Sequence, residues 1–184
     1  MILVDILSNY WGADFTPWPA PSIDKKGEKF TGEANKYLKA VINVIKPFID
    51  INYRTKPDVE NTAMIGYSLG GLAALYSLYN DNTIGRIGCM SGSLWYDGWI
   101  KYMEEHQILN TNVKIYLSLG RNEELSRNAR IAKVGMCFDK TKSLLLQEVK
   151  NPNQIFYELN QGGHFTDIAH RHFQALLWLM HLDN

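Results

Sequence analysis

Apolar positions in this chain follow two different periods in turn. Short apolar runs of strand length occur at residues 2–7, 62–67, 84–90, 113–119 and 154–159, and their continuity predicts buried strands. Between them the spacing becomes helical. Residues 32–50 put Leu38, Val41, Ile42, Ile45 and Ile49 on one face and Lys36, Lys39 and Asn43 on the other, with Pro47 expected to bend or shorten the last turn. Residues 69–79 carry Leu72, Leu75, Tyr76 and Tyr79 on an amphipathic helix, and residues 98–106 a short one. Residues 121–149 are expected to form helix in two pieces broken near Gly135 and Asp139. Thr166 is a good N-cap for a final helix whose Ala169, Phe173, Leu176, Leu177 and Met180 face the core. Residues 9–23 break all periodicity, with Gly12, Pro17, Pro19 and Pro21 among Trp11, Phe15 and Trp18, and read as a rigid loop at a strand end. Strands alternating with helices predict an α/β fold: one domain over residues 1–184, with a mostly parallel sheet of about five strands covered on both faces.

Composition narrows the function. The 184 residues include 19 basic and 19 acidic side chains, so the formal charge is zero. No basic stripe exists to attract nucleic acid or an anionic membrane. The first residues lack a basic leader and a cleavage site, and no apolar run reaches membrane-spanning length, so the expectation is a soluble, unexported, cytoplasmic chain. Cys89 and Cys137 lie outside any C-x-x-C pattern and are expected to be reduced.

The candidate chemistry centres on G-Y-S-L-G at residues 66–70. Three such fixed positions recur by chance about once in fifteen chains of this length, so the context decides: a strand-like run precedes the pattern and a helix follows it. A serine on so tight a turn holds strained backbone, and Gly66, Gly70 and Gly71 would let strand and helix approach each other. The turn presents Ser68 at the carboxyl end of the sheet, with the Leu69 N–H aimed where an oxyanion would form. The competing reading is an ordinary glycine-rich turn with a surface serine. A serine nucleophile needs a histidine and, commonly, an acid. Among the five histidines, only His164 falls in a loop directly after a predicted strand, flanked by glycines. His170 and His172 do not share a helix face, so no metal site is expected there; His106 and His181 read as surface residues at helix ends. The acid should lie between serine and histidine in the chain. Glu123, after the 113–119 strand, is favoured over Glu124 and Asp97, and a Ser–His pair without an acid stays open; a glutamate there also suits a helix N-terminus.

Four blocks resemble the Putative esterase family of α/β-hydrolases, which includes esterase D and the enterochelin and trilactone siderophore esterases: G-Y-S-L-G-G-L-A-A-L-Y, S-G-S-L-W-Y-D at residues 91–97, S-L-G-R-N-E-E-L-S-R-N at residues 118–128, and G-G-H-F at residues 162–165. F-T-P-W at residues 15–18 is similar to its loop after the fourth strand. The resemblance implies an α/β-hydrolase-like fold and a serine esterase with Ser68 as nucleophile, His164 as base and Glu123 as acid. Tyr67, Trp95 and Tyr96 would line the cleft for a small-molecule ester, although Trp95 and Tyr96 also read as core aromatics. No cofactor or metal is called for. Tyr10 and Trp11 stand where family members carry a basic residue. The chain also opens at the family's fourth strand, without the H-D-G-type loop that supplies a second oxyanion donor, so it is expected to be N-terminally truncated. Three arrangements follow for the gap: residues 2–7 move beside 62–67, another chain fills it, or a longer protein does. The alternative function is therefore a weakly active or inactive hydrolase-like module that self-associates as a homo-oligomer through an exposed sheet edge.

Overall fold

The computed structural model describes residues 1–23, 27 and 29–180. Four strands, β1 (Ala63–Tyr67), β2 (Arg86–Met90), β3 (Lys114–Gly120) and β4 (Ile155–Asn160), form one sheet in sequential order. Every pairing is parallel, as helical crossovers require. The helices are α1 (Trp11–Asp14), α2 (Ala34–Ala40), α3 (Lys46–Asn52), α4 (Leu69–Ser77), α5 (Trp99–Glu105), α6 (Val134–Glu148) and α7 (Ile168–Met180). Among the described residues no helix is long and apolar enough to cross a membrane.

Strand alternation divides the core in two. Ile87, Cys89, Ile115, Leu117 and Leu119 enter the larger cluster with residues of α2, α4, α5 and α6. Met90 and Tyr116 point the other way and meet Ala175 and Leu179 of α7. Gly88 admits this close packing: a Cβ there would lie 2.7 Å from Ile65 Cγ2 and 3.3 Å from Leu179 Cδ1. Arg86, buried at the start of β2, donates to the Leu179 carbonyl and so caps the last turn of α7.

Several expectations are corrected. Residues 2–7 form no strand. Ile2, Leu3, Val4 and Leu7 are 46, 65, 41 and 85% exposed, and among the described residues β1 pairs only with β2. An apolar run is not by itself a strand: residues 2–7 pair with no strand of the sheet, and unpaired backbone gains nothing from extension. Pro47 does not shorten its helix. A π-helical segment, Val41–Ile45, precedes it and α3 continues to Asn52; the widened turn accommodates a residue that cannot donate and crowds the carbonyl four residues back. Helix α6 runs unbroken through Gly135 and Asp139. Helix α4 is buried nearly all round, not on one stripe. Thr166 does not cap α7; its Oγ1 accepts from the Gly163 N–H at 3.1 Å. The buried face of α7 is Arg171, Ala175 and Leu179, while Phe173 and Leu177 are exposed.

Candidate active site

The site gathers at the carboxyl ends of β1, β2, β3 and β4. Ser68 directly follows β1 with φ 56° and ψ −122°, a positive-φ conformation that non-glycine residues rarely adopt. Such strain is held only where neighbours enforce it. Gly66 is one enforcer, since a Cβ there would lie 2.2 Å from the Gly70 carbonyl oxygen. Gly71 is another, with Cys89 Sγ at 3.1 Å and Gly92 Cα at 3.2 Å from its Cβ position. Gly70 is different: a Cβ there meets nothing within 4 Å, so the close approach rests on Gly66 and Gly71 alone. The Ser68 backbone is fixed to the next strand, its N–H donating to Met90 O at 3.1 Å and its carbonyl accepting from Ser93 N at 3.0 Å. Leu69 opens α4, so its N–H has no carbonyl one turn back and points out of the helix with the positive end of the dipole.

His164 follows β4 in the loop that leads to α7. Its Nε2 accepts from Ser68 Oγ at 3.1 Å, and its Nδ1 donates to Glu123 Oε2 at 2.7 Å. Glu123 is only 6% exposed. Its Oε1 accepts from Ser91 Oγ at 2.7 Å and from the Gly120 N–H at 2.7 Å. Burial works to raise this carboxyl, but the bonds from His164, Ser91 and Gly120 outweigh it and hold Glu123 below the usual glutamate range. A carboxylate so held fixes the imidazole tautomer with Nε2 free to accept. The loops after β3 and β4 are joined by main-chain bonds, Arg121 N to Asn160 O and Asn122 N to Gly162 O, each 3.0 Å.

The other sequence candidates separate from this group. Glu124 is exposed. Asp97 is occupied by Arg130, whose Nη2 lies 2.9 Å from Oδ2, and its carbonyl accepts from Trp18 Nε1 at 2.8 Å. Tyr96 is a core residue, 2% exposed, with its hydroxyl donating to Trp18 O at 2.5 Å; a side chain so enclosed offers a ligand no surface. Trp95 is 8% exposed and carries the Arg130 guanidinium 5.5 Å from its ring centroid. Tyr67 is half-buried and ties β1 to the histidine loop by donating to the His164 carbonyl. His172 stacks on Tyr67, and His106 on Tyr102; His181 lies outside the described residues.

Three residues near the site had no role in the sequence reading. Ser91, itself at φ 45°, donates to Glu123. Ser93, 1% exposed, has its Oγ 3.3 Å from Ser68 Oγ. Arg171, also 1% exposed, reaches Glu123 Oε1 at 3.3 Å. The signal for Arg171 was its spacing from Ala175 and Leu179, one turn and two turns along the same face. The Cys89 thiol, packed against Gly71 and Gly92, is pushed up to about 12 by burial and stays protonated at neutral pH.

A parallel sheet whose strand ends carry a positive-φ serine, a histidine and a buried glutamate within hydrogen-bonding distance defines an α/β-hydrolase-like chain. The sequence matches the Putative esterase family over residues 6–183, and the chain belongs to that family. It is 30% identical over 172 residues to the Uncharacterized protein YbbA of Bacillus subtilis (strain 168), covering 90% of this chain and 68% of that protein. Its fold is similar to the siderophore hydrolase EstA from Aspergillus nidulans, with TM-score 0.69 and 16% identity over 97% of this chain and 68% of EstA. It is also similar to the enterobactin esterase FES from Shigella flexneri, with TM-score 0.62 and 22% identity over 78% of this chain. The aligned part is 38% of the length of the Shigella enzyme.

Proposed function

We propose that the chain hydrolyses carboxylic esters through an acyl-enzyme, with Ser68 as nucleophile, His164 as general base and acid, and Glu123 as the acid that orients and charge-balances the imidazole. One observation carries this reading: the uninterrupted path Ser68 Oγ to His164 Nε2 at 3.1 Å and His164 Nδ1 to Glu123 Oε2 at 2.7 Å. In the first half-reaction Ser68 Oγ attacks the acyl carbonyl as Nε2 takes its proton. The tetrahedral oxyanion forms against the Leu69 N–H at the positive end of α4, and Nε2 returns the proton to the leaving alkoxide. Water then repeats the sequence and releases the acid. The similar structures named as a siderophore hydrolase and an enterobactin esterase support a small-molecule ester as substrate, with the half-buried Tyr67 beside its path.

The test is labelling by a fluorophosphonate probe together with turnover of short p-nitrophenyl esters. Labelling at Ser68 that disappears in Ser68→Ala supports the reading. A folded protein that is neither labelled nor active overturns it.

One observation favours a second reading, a weakly active module that self-associates. Among the described residues the outer edge of β1 has no partner strand, and an unpaired edge is a template for another chain. A monomer by light scattering with rapid ester turnover would dispose of this alternative.

A further inference from the structure

Behind the Glu123 carboxylate, a single guanidinium from α7 meets three other elements of the site. Nη1 of Arg171 donates to Glu123 Oε1 at 3.3 Å, to Tyr67 Oη at 3.2 Å and to Ser91 Oγ. Nη2 donates to the Gly163 carbonyl at 3.0 Å and to the Gln161 carbonyl at 3.4 Å. Taking Ser68, His164 and Glu123 in the roles proposed above, we infer that Arg171 is the positioning residue of the site, holding the acid's carboxylate and the backbone that carries the histidine in one rigid frame.

Geometry and burial both point this way. The two arms of the fork go to different parts of the machinery, one to the acid and its donor Ser91, the other to the main chain next to His164. A planar guanidinium can fix both directions at once, whereas an ammonium is a point donor. The frame is also built tightly. A Cβ on Gly120 would lie 2.9 Å from Arg171 Nη2, 2.9 Å from Glu123 Oε1 and 2.7 Å from the Gly162 carbonyl oxygen, so the turn after β3 is left without a side chain where acid, arginine and histidine loop converge. Packing alone does not call for an arginine: Ala175 and Leu179 continue the same stripe with apolar groups, and replacing a buried ion pair by apolar residues is often neutral or stabilising. The titratable groups around the guanidinium are Glu123 and, beyond it, His164, with Tyr67 from β1 and Tyr116 from β3. Glu123 is the carboxylate in hydrogen-bonding reach, so the charge of Arg171 is matched at the acid.

The experiment compares the wild type with Arg171→Lys and Arg171→Met. Readouts are circular dichroism, the pH profile of kcat/KM on a p-nitrophenyl ester, and the downfield NMR resonance of the His164 Nδ1 proton, identified by its loss in His164→Gln. Arg171→Lys keeps the charge but not the fork. It is expected to fold, to lose about tenfold in kcat with KM within about twofold, and to shift or broaden the Nδ1 resonance. Arg171→Met removes the charge facing Glu123 and His164, which favours the imidazolium. Its acidic limb is expected to move up by about half to one pH unit, a change that a merely structural loss would not produce. If Arg171→Met does not fold, Arg171→Lys decides. A folded Arg171→Lys with wild-type kcat and an unmoved Nδ1 resonance overturns the inference. The resonance also separates the two claims: a protein unlabelled at Ser68 whose Nδ1 proton still responds to Arg171→Lys would defeat the esterase reading and leave the frame standing.

Discussion

The Tyr67 hydroxyl donates to the main-chain carbonyl of His164, 97 residues further along the chain. It joins the residue before the serine to the residue that must meet the serine. Removing it in Tyr67→Phe sacrifices that bond and the one its oxygen accepts from Arg171 at 3.2 Å, each of ordinary net worth, about 1 kcal/mol, so about 2 kcal/mol together, or about thirtyfold in rate if the cost falls on the transition state. The expected result is a fall of that size in kcat with little change in KM, measured by steady-state ester hydrolysis.

The choice of acid is open to a direct comparison. Glu123→Gln keeps the shape of the side chain but removes the charge that fixes the His164 tautomer, and kcat should fall by about 10³- to 10⁴-fold. Asp97→Asn breaks only the half-exposed contact with Arg130 and should stay within about threefold of the wild type. Equal losses in the two variants would contradict the assignment.

Gly66 and Gly70 should respond in opposite directions. Gly66→Ala drives a methyl into the Gly70 backbone and should cost about 3 kcal/mol, the upper end for overpacking. Gly70→Ala enters open space in a helix and should fall within about 1 kcal/mol of the wild type, on the stabilising side. Urea midpoints at pH 7 measure both.

Acid should weaken the fold through identifiable carboxylates. Glu123 is held low because the bonds it accepts outweigh burial, and Asp50 because it accepts from Lys46 and Thr55. A group whose folded pKa lies below its unfolded value binds fewer protons when folded. Its contribution is therefore complete above the unfolded value near 4 and is lost as pH falls through the folded one. Stability measured in urea from pH 6 to pH 3 should decline, and Glu123→Gln should decline less steeply than the wild type.

What the sequence disclosed was mostly local. The strands 62–67, 84–90, 113–119 and 154–159 were readable from short runs rich in apolar residues, although β2 and β3 are the buried ones while β1 is half-buried and β4 exposes Phe156, Tyr157 and Leu159. The meeting of Ser68, Glu123 and His164 was readable because each follows such a run. What it concealed was relational. Residues 2–7 look like a strand by composition, yet a strand exists only against an edge. The face of α7 was misread because Phe173 and Leu177 are more hydrophobic than Ala175, and because a charged Arg171 looks like a surface residue until its partners are known. Gly70 lends its backbone to the tight contact with Gly66, yet its own Cβ position faces open space, a distinction that rests on the direction of one absent Cβ. Ser91 and Ser93 carry no spacing signal of their own, because their partners, Glu123 and Ser68, stand 32 and 25 residues away in the chain.

Helix α7 closes one face of the sheet and also supplies the guanidinium behind the acid. A relative that had lost this segment would still spell serine, glutamate and histidine in the right order, yet would lack the guanidinium that here joins the glutamate carboxylate to the backbone beside the histidine. On the role proposed for Arg171, a chain shortened at this end loses a brace of the site together with the part of the core that Ala175 and Leu179 fill.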